Sequence, residues 1–226
     1  GKLKNKSFSG INQLENKTLA ESSITISIAE IDEQIRKIEN SSWNKFKIKC
    51  NGFNLKNTEK LLNLNRNIAL DANASFTKED CLFIQETSGF QKLMYIEQPL
   101  EIGNFGILKN GNSVNWMADE DCQDITFLEK LKPYYSSINI KLMKCGGLTP
   151  ALEMITEAKK LGYKIMLGCM TESSIGISAG CAIAGLLDFA DLDGANLISN
   201  DYATGSFVDN GKIILSEKPG LGIALL

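Results

Sequence analysis

The sequence of 226 residues contains no histidine, which removes Ser-His-Asp and Cys-His catalysis and most zinc chemistry. Its six cysteines, at positions 50, 81, 122, 145, 169 and 181, form no CxxC pair. Several sit in apolar runs, where a free thiol behaves as a small hydrophobe, so reduced cysteines and a cytoplasmic location are expected. The chain has no run of five or six lysines or arginines, and its formal net charge is only −3, so it offers no footprint for nucleic acid. No apolar stretch reaches the roughly 18 residues of a transmembrane helix, and no membrane partner is expected. The opening "GKLKNKSFSG" is neither a signal peptide nor an initiating Met, which suggests a chain that begins partway through a longer product. Acid-base work must therefore fall to Lys, Asp, Glu, Tyr or Cys, acting on a small molecule.

A hydrophobic content of 43% over this length suffices for one sizeable core. From residue 23 onward, short apolar or β-branched runs alternate with stretches of helical composition, a pattern of parallel βα units. Eight strands are predicted: 23–28, 46–50, 68–73, 94–100, 115–120, 138–144, 163–170 and 188–196. Seven helices between them, the last one missing or irregular, predict a (β/α)7β TIM-like barrel of parallel strands. Its active site would lie at the C-terminal ends of the strands. The alternative is a doubly wound open sheet, but no GxGxxG or GxxxxGK turn follows the early strands. Residues 1–22 form a polar lead-in, and 23–226 the barrel domain.

Charged residues recur once per unit: Lys49, Asp71, Glu97, Asp119 and Lys141 are separated by 22, 26, 22 and 22 residues. In a barrel this brings them to a similar height, late in consecutive strands. Period-two alternation sends Lys47, Lys49, Asp71, Lys141, Asp191 and Asp193 inward, and leaves Lys144 outside. Lys141 is the sharpest case, an ammonium in the apolar run "SSINIKLMKCGG", where an unpaired charge costs several kcal/mol or more. Asp71, Glu97 and Asp119 form an oxygen-only donor set suited to Mg²⁺. Each could instead cap the helix that follows it. Lys49 and Lys141, on strands at either side of that set, invite two-sided proton transfer, and simple salt bridging is the competing reading. A lysine acts as a base near neutrality only with a lowered pKa, and Mg²⁺ and the neighbouring charge of Lys47 would act in that direction. Gly146-Gly147 is expected as a tight turn or as a close approach to substrate. Thr171, Glu172 and Ser173 in "GCMTESS" line the mouth, unless Thr171 or Ser173 caps a helix. Met170, Trp43 and Trp116 are assigned to packing.

These motifs, "KIK", "DAN", "IEQP", "ADE" and "IKLMKCGG", together resemble the enolase superfamily, and in particular its muconate-lactonising subgroup. "KLMKCGGLTPAL", "GCMTESSIGISA" and "DLDGA" are similar to the dipeptide epimerases of that subgroup, and the likeness runs from about residue 20 to the end. The resemblance implies Mg²⁺ held by Asp71, Glu97 and Asp119, with Lys49 and Lys141 as the acid/base pair. It implies an ammonium pocket for the dipeptide at Asp191 and Asp193, with Lys47 and the segment Thr171–Ser173 as further substrate contacts. The implied reaction is epimerisation of L-Ala-D/L-Glu or a similar dipeptide by two-lysine 1,1-proton transfer through a metal-stabilised enediolate. Peptidoglycan recycling is the implied setting and a homo-oligomer a partner state consistent with it.

The sequence departs from that pattern in lacking the N-terminal α+β capping domain of such enzymes, which suggests a fragment or a truncated enzyme with weak catalysis. The linker between the second and third strands and the segment 104–112 are short, and Asp121 stands where the subgroup has Ser. The competing functions are o-succinylbenzoate synthase, N-acylamino acid racemase or cycloisomerase, a Schiff-base enzyme built on Lys141, and a barrel that binds without turnover.

Overall fold

The computed structural model describes residues 2–14, 17–111 and 114–226. Each of the eight predicted strands overlaps an observed one, β2, β3 and β6 beginning one residue before the predicted run and all but β2 being shorter than it: β1 (Ile24–Ile26), β2 (Lys45–Lys49), β3 (Asn67–Asp71), β4 (Ile96–Glu97), β5 (Trp116–Ala118), β6 (Ser137–Lys141), β7 (Lys164–Gly168) and β8 (Phe189–Asp191). They form one parallel sheet in sequence order. An isolated parallel bridge from Ser22 to Ala190, with Ser23 N donating to Ala190 O at 2.9 Å, brings the first strand against the last. The result is a nearly closed parallel barrel.

The helices follow from local chemistry. α1 (Phe8–Ile11) lies in the lead-in; α2 (Ile31–Glu39), α3 (Leu55–Leu62) and α4 (Lys78–Glu86) fill the first three crossovers. In α2, Asp32 and Glu33 open the helix and Arg36 and Lys37 close it, matching the helix dipole. Thr77 and Asp80 form a capping box at the start of α4. The crossover from β4 to β5 departs from the expected seven helices, because among its described residues it holds only a 3-10 turn, Phe105–Ile107. Pro99, Gly103, Gly106 and Gly111 crowd this segment, and their low helix propensity explains the loss. α5 (Leu128–Leu131) is a single turn, α6 (Leu142–Cys145) follows β6 directly, and α7 (Leu148–Lys160) and α8 (Ser174–Cys181) complete the ring. After β8 comes only a 3-10 turn, Gly194–Leu197.

The chain ends in β9 (Ala203–Thr204), β10 (Phe207–Asp209), β11 (Lys212–Ile214) and β12 (Ala224–Leu225). β10 pairs with β11 across Asn210-Gly211, and β12 pairs with β9. The lead-in is docked against this segment: Ser7 bridges to Gly220, and Phe8 N donates to Gly220 O at 2.7 Å.

The main core lies between sheet and helices, with Phe46, Ile48, Ile68, Leu70 and Trp116 among its largest members. A second cluster fills the barrel itself, where Ala69, Tyr95, Met117 and Met166 pack with Phe189. This apolar plug forms the floor on which the charged residues stand.

Candidate active site

Strand register sets the height of each charged group. Lys49 pairs with Asp71 and Asp71 with Glu97, so these three are level. Glu97 then pairs with Met117, and Asp119 stands two residues beyond, in keeping with the stagger that closes a barrel. Lys141 pairs with Gly168, which pairs with Asp191.

The acids point inward and are desolvated: Asp71, Glu97, Asp119, Asp191 and Asp193 are each at most 3% exposed. Lysines reach them from neighbouring strands. Lys47 Nζ touches Asp191 Oδ2 and lies 3.7 Å from both Asp71 Oδ2 and Glu97 Oε2. Lys49 Nζ is 3.0 Å from Asp71 Oδ2 and donates to Asn73 Oδ1 at 2.6 Å. Lys141 Nζ donates to Asp119 Oδ2 at 2.6 Å, and Lys144 Nζ to Asp119 Oδ1 at 2.7 Å.

Lys144 corrects the sequence expectation that it points away from the mouth. Alternation stops at Lys141, where β6 ends and α6 begins, and one helical turn carries Lys144 back over Asp119. Gly146 and Gly147 make the turn that allows this. With φ of +97° and +109°, they close α6 and open α7 in backbone conformations that favour glycine.

Sequence reasoning also missed Asn139, although it alternates with Lys141. Its Nδ2 donates to Glu97 Oε1 at 2.6 Å. It has room because residue 168 is glycine: a Cβ there would lie 2.6 Å from Asn139 Oδ1. Ser23 and Thr25, inward by the same alternation, hold the acids of β8. Ser23 Oγ donates to Asp191 at 3.1 Å and Thr25 N to Asp193 at 2.8 Å.

The segment after β7 is less engaged with the mouth. Ser173 caps α8, accepting from Ile175 N, and Glu172 turns back to accept from Met170 N. Thr171 is exposed. Trp43 and Trp116 are buried packing residues, whereas Met170 is 48% exposed. The thiols are poor nucleophiles: burial pushes Cys50, Cys81, Cys122 and Cys181 up to about 12.

Burial and like charge determine the electrostatics. Burial pushes Glu97 up to about 8; Lys47 opposes this, while Asp71, Asp119 and Asp191 add to it. Asp193 is raised by burial and by Asp191. Asp119 goes the other way, because Lys141 and Lys144 outweigh its burial. Burial lowers Lys141, but Asp119 outweighs it and holds the ammonium above the ordinary lysine range. The expected lowering is thus not met at Lys141 while it contacts Asp119 directly.

The layer contains four lysines, 47, 49, 141 and 144, against five carboxylates. The five acids outnumber the four amines, the raised Glu97 carboxyl closes that gap only by keeping a proton, and Glu97 Oε2 is buried without a hydrogen-bond partner. A wholly oxygen donor set with an orphaned buried oxygen fits a hard divalent cation. Among the described residues, no three acids already converge on one point as a metal cage; lysine ammoniums stand between them.

A nearly closed parallel barrel with acids and amines converging at the carboxyl ends of its strands defines a (β/α) barrel with a charged mouth. The chain belongs to the enolase C-terminal domain-like family, whose pattern matches residues 30–226. It is 35% identical over 233 residues to an L-Ala-D/L-amino acid epimerase of Maribacter sp., covering 100% of this chain and 68% of that protein. It is 39% identical over 160 residues to an L-Ala-D/L-Glu epimerase of Bacteroides thetaiotaomicron, covering 69% of this chain and 42% of that protein. Among solved structures, a dipeptide epimerase from Methylococcus capsulatus complexed with Mg ion superposes with a TM-score of 0.85 at 26% identity, over 100% of this chain and 70% of that one. The chain therefore spans only part of the length of these relatives.

Proposed function

We propose that this chain carries the catalytic barrel of a Mg²⁺-dependent dipeptide epimerase, which inverts the α-carbon of the second residue of L-Ala-D/L-Glu or a similar dipeptide. The observation that carries this reading is the placement of two lysines, Lys49 and Lys141, on strands that flank three inward carboxylates. Asp71, Glu97 and Asp119 would hold Mg²⁺. When bound there, the ion supplies positive charge that stabilises negative charge developing on the substrate carboxylate.

Lys49 and Lys141 stand to take and return a proton on opposite faces of the substrate. Asn73 holds Lys49 Nζ at 2.6 Å and fixes its approach. Lys47 is committed to Asp191, which leaves Asp193 the first partner for the dipeptide's ammonium. A cation there would favour the ionised form of a carboxyl that burial has raised. Asp193 also argues against the acylated substrates of related racemases and synthases, which bring no amine charge to pair with it. The Schiff-base reading needs no divalent cation, whereas the buried oxygen-only set of Asp71, Glu97 and Asp119, with Glu97 Oε2 unpartnered, favours one. Six free thiols suit a reducing cytoplasm, where dipeptides from peptidoglycan recycling are a fitting substrate class.

The test is incubation with L-Ala-L-Glu and Mg²⁺ in D₂O, followed by a dipeptide library screened by mass. Deuterium at the α-carbon of the second residue, together with its epimer, is expected, and EDTA should stop both. Turnover that survives EDTA with borohydride trapping on Lys141 would establish the Schiff-base enzyme instead. No exchange with any dipeptide would leave a barrel without this activity.

A further inference from the structure

Beyond the ends of β4 and β5, the chain carries a buried hydrogen-bond network that the proton-transfer chemistry does not use. β4 is two residues long and β5 three, and their last ladder bond runs from Gln98 N to Met117 O at 2.8 Å. Glu97 and Asp119 project where the strands stop, so ladder pairing alone does not hold them in register. The side chain of Gln98 takes over. Its Oε1 accepts from the backbone N–H of both Asp119 and Asp121 at 3.1 Å. Its Nε2 donates to Leu100 O at 2.8 Å and to Asp121 Oδ2 at 2.9 Å.

Gln98 is fully buried and sits at φ +34°, a backbone that a residue with a side chain adopts only at a cost. Every polar atom of its amide is used. Asp121 is the other half: its Oδ2 also accepts from the buried Tyr135 hydroxyl at 2.7 Å, and its Oδ1 from Gly103 N at 2.8 Å. A serine at position 121 would offer one oxygen in place of the two that accept these three bonds.

We propose that Gln98 and Asp121 are positioning residues, a clamp that fixes the span between the Glu97 and Asp119 carboxylates and thereby sets the affinity of the mouth for a divalent cation. The inference rests on the metal reading above and deepens it. Neither residue touches the ion; both act through the backbone of its ligands. Partners of metal ligands commonly carry about 10–100-fold of metal affinity.

The test is Mg²⁺ titration by calorimetry of the metal-free chain, with thermal melting of every variant. Gln98→Glu sets a carboxylate oxygen against Asp121, and Asp121→Asn sets an amide donor against Gln98 Nε2. Each alone should weaken Mg²⁺ by about tenfold or more. Q98E/D121N restores a donor–acceptor pair between the two positions, though not the bond to Leu100 O, and should recover Mg²⁺ affinity in part, which a merely structural role would not predict. Tyr135→Phe, which removes one hydroxyl, gives a milder probe should a single variant fail to fold, and should weaken Mg²⁺ severalfold. Melting shifts with unchanged Mg²⁺ affinity in the folded variants, Tyr135→Phe included, would overturn the clamp alone. A wild-type chain that binds no Mg²⁺ would overturn the metal reading and the clamp with it.

Discussion

At the scale of single residues, Glu97 is the most constrained group in the mouth, facing Lys47 from β2, Asp71 from β3, Asp119 from β5, Asn139 from β6 and Asp191 from β8. Its carboxyl moves from an ordinary value of 4.5 to about 8 in the fold, mainly through burial. Between these values the folded chain keeps a proton that the unfolded chain has lost, so this group's contribution falls as pH rises from about 4.5 to about 8 and is level above. Metal-free Glu97→Gln should lack that loss. Urea melts across the window should show the gap between variant and wild type widening in the variant's favour up to about pH 8; a constant gap would count against a raised Glu97. The residue's type and inward direction were legible from spacing and alternation. Its protonation state was not, because that depends on four neighbouring strands at once.

At the scale of elements, the limits of legibility lie where strands end. Alternation placed Lys49, Asp71 and Lys141 correctly on the inner face, since each lies within a ladder. It failed at Lys144, the last residue of a segment, 138–144, that the sequence treats as continuous strand and the structure splits into β6 and α6. The glycine pair gave the signal for that break. Gly147, at φ +109° and ψ −164°, occupies a region almost closed to other residues. Gly147→Ala should therefore lower stability by about 1–3 kcal/mol, measured by urea denaturation. An alanine variant as stable as wild type would show that the α6–α7 joint does not need this conformation.

At the scale of the whole molecule, eight strands in sequence order were legible because each run is buried between helix and barrel and is bounded by turn residues. The crossover from β4 to β5, with only a 3-10 turn among its described residues, and the terminal pairs β9–β12 were not, since such short elements carry too little periodicity to register. The docking of the lead-in through Ser7 and Phe8 was equally hidden, because it depends on contacts to Gly220, far away in sequence. A mouth whose acids outnumber its amines has a global consequence. Mg²⁺ at 100 times its dissociation constant should stabilise the whole chain by about 2.7 kcal/mol, seen as a rise in melting temperature that EDTA reverses. A melting temperature indifferent to Mg²⁺ would contradict the ion's assigned place.

The central claim is that Lys49 and Lys141 serve opposite faces of one α-carbon, and stereospecific exchange tests it most directly. Lys49→Ala and Lys141→Ala are each incubated in D₂O with L-Ala-L-Glu and, separately, with L-Ala-D-Glu, in the presence of Mg²⁺. Each variant should lose epimerisation by about 10²–10⁴-fold, yet still exchange the α-proton of one epimer, and the two variants should retain opposite ones. Exchange of both epimers by either variant would contradict the account.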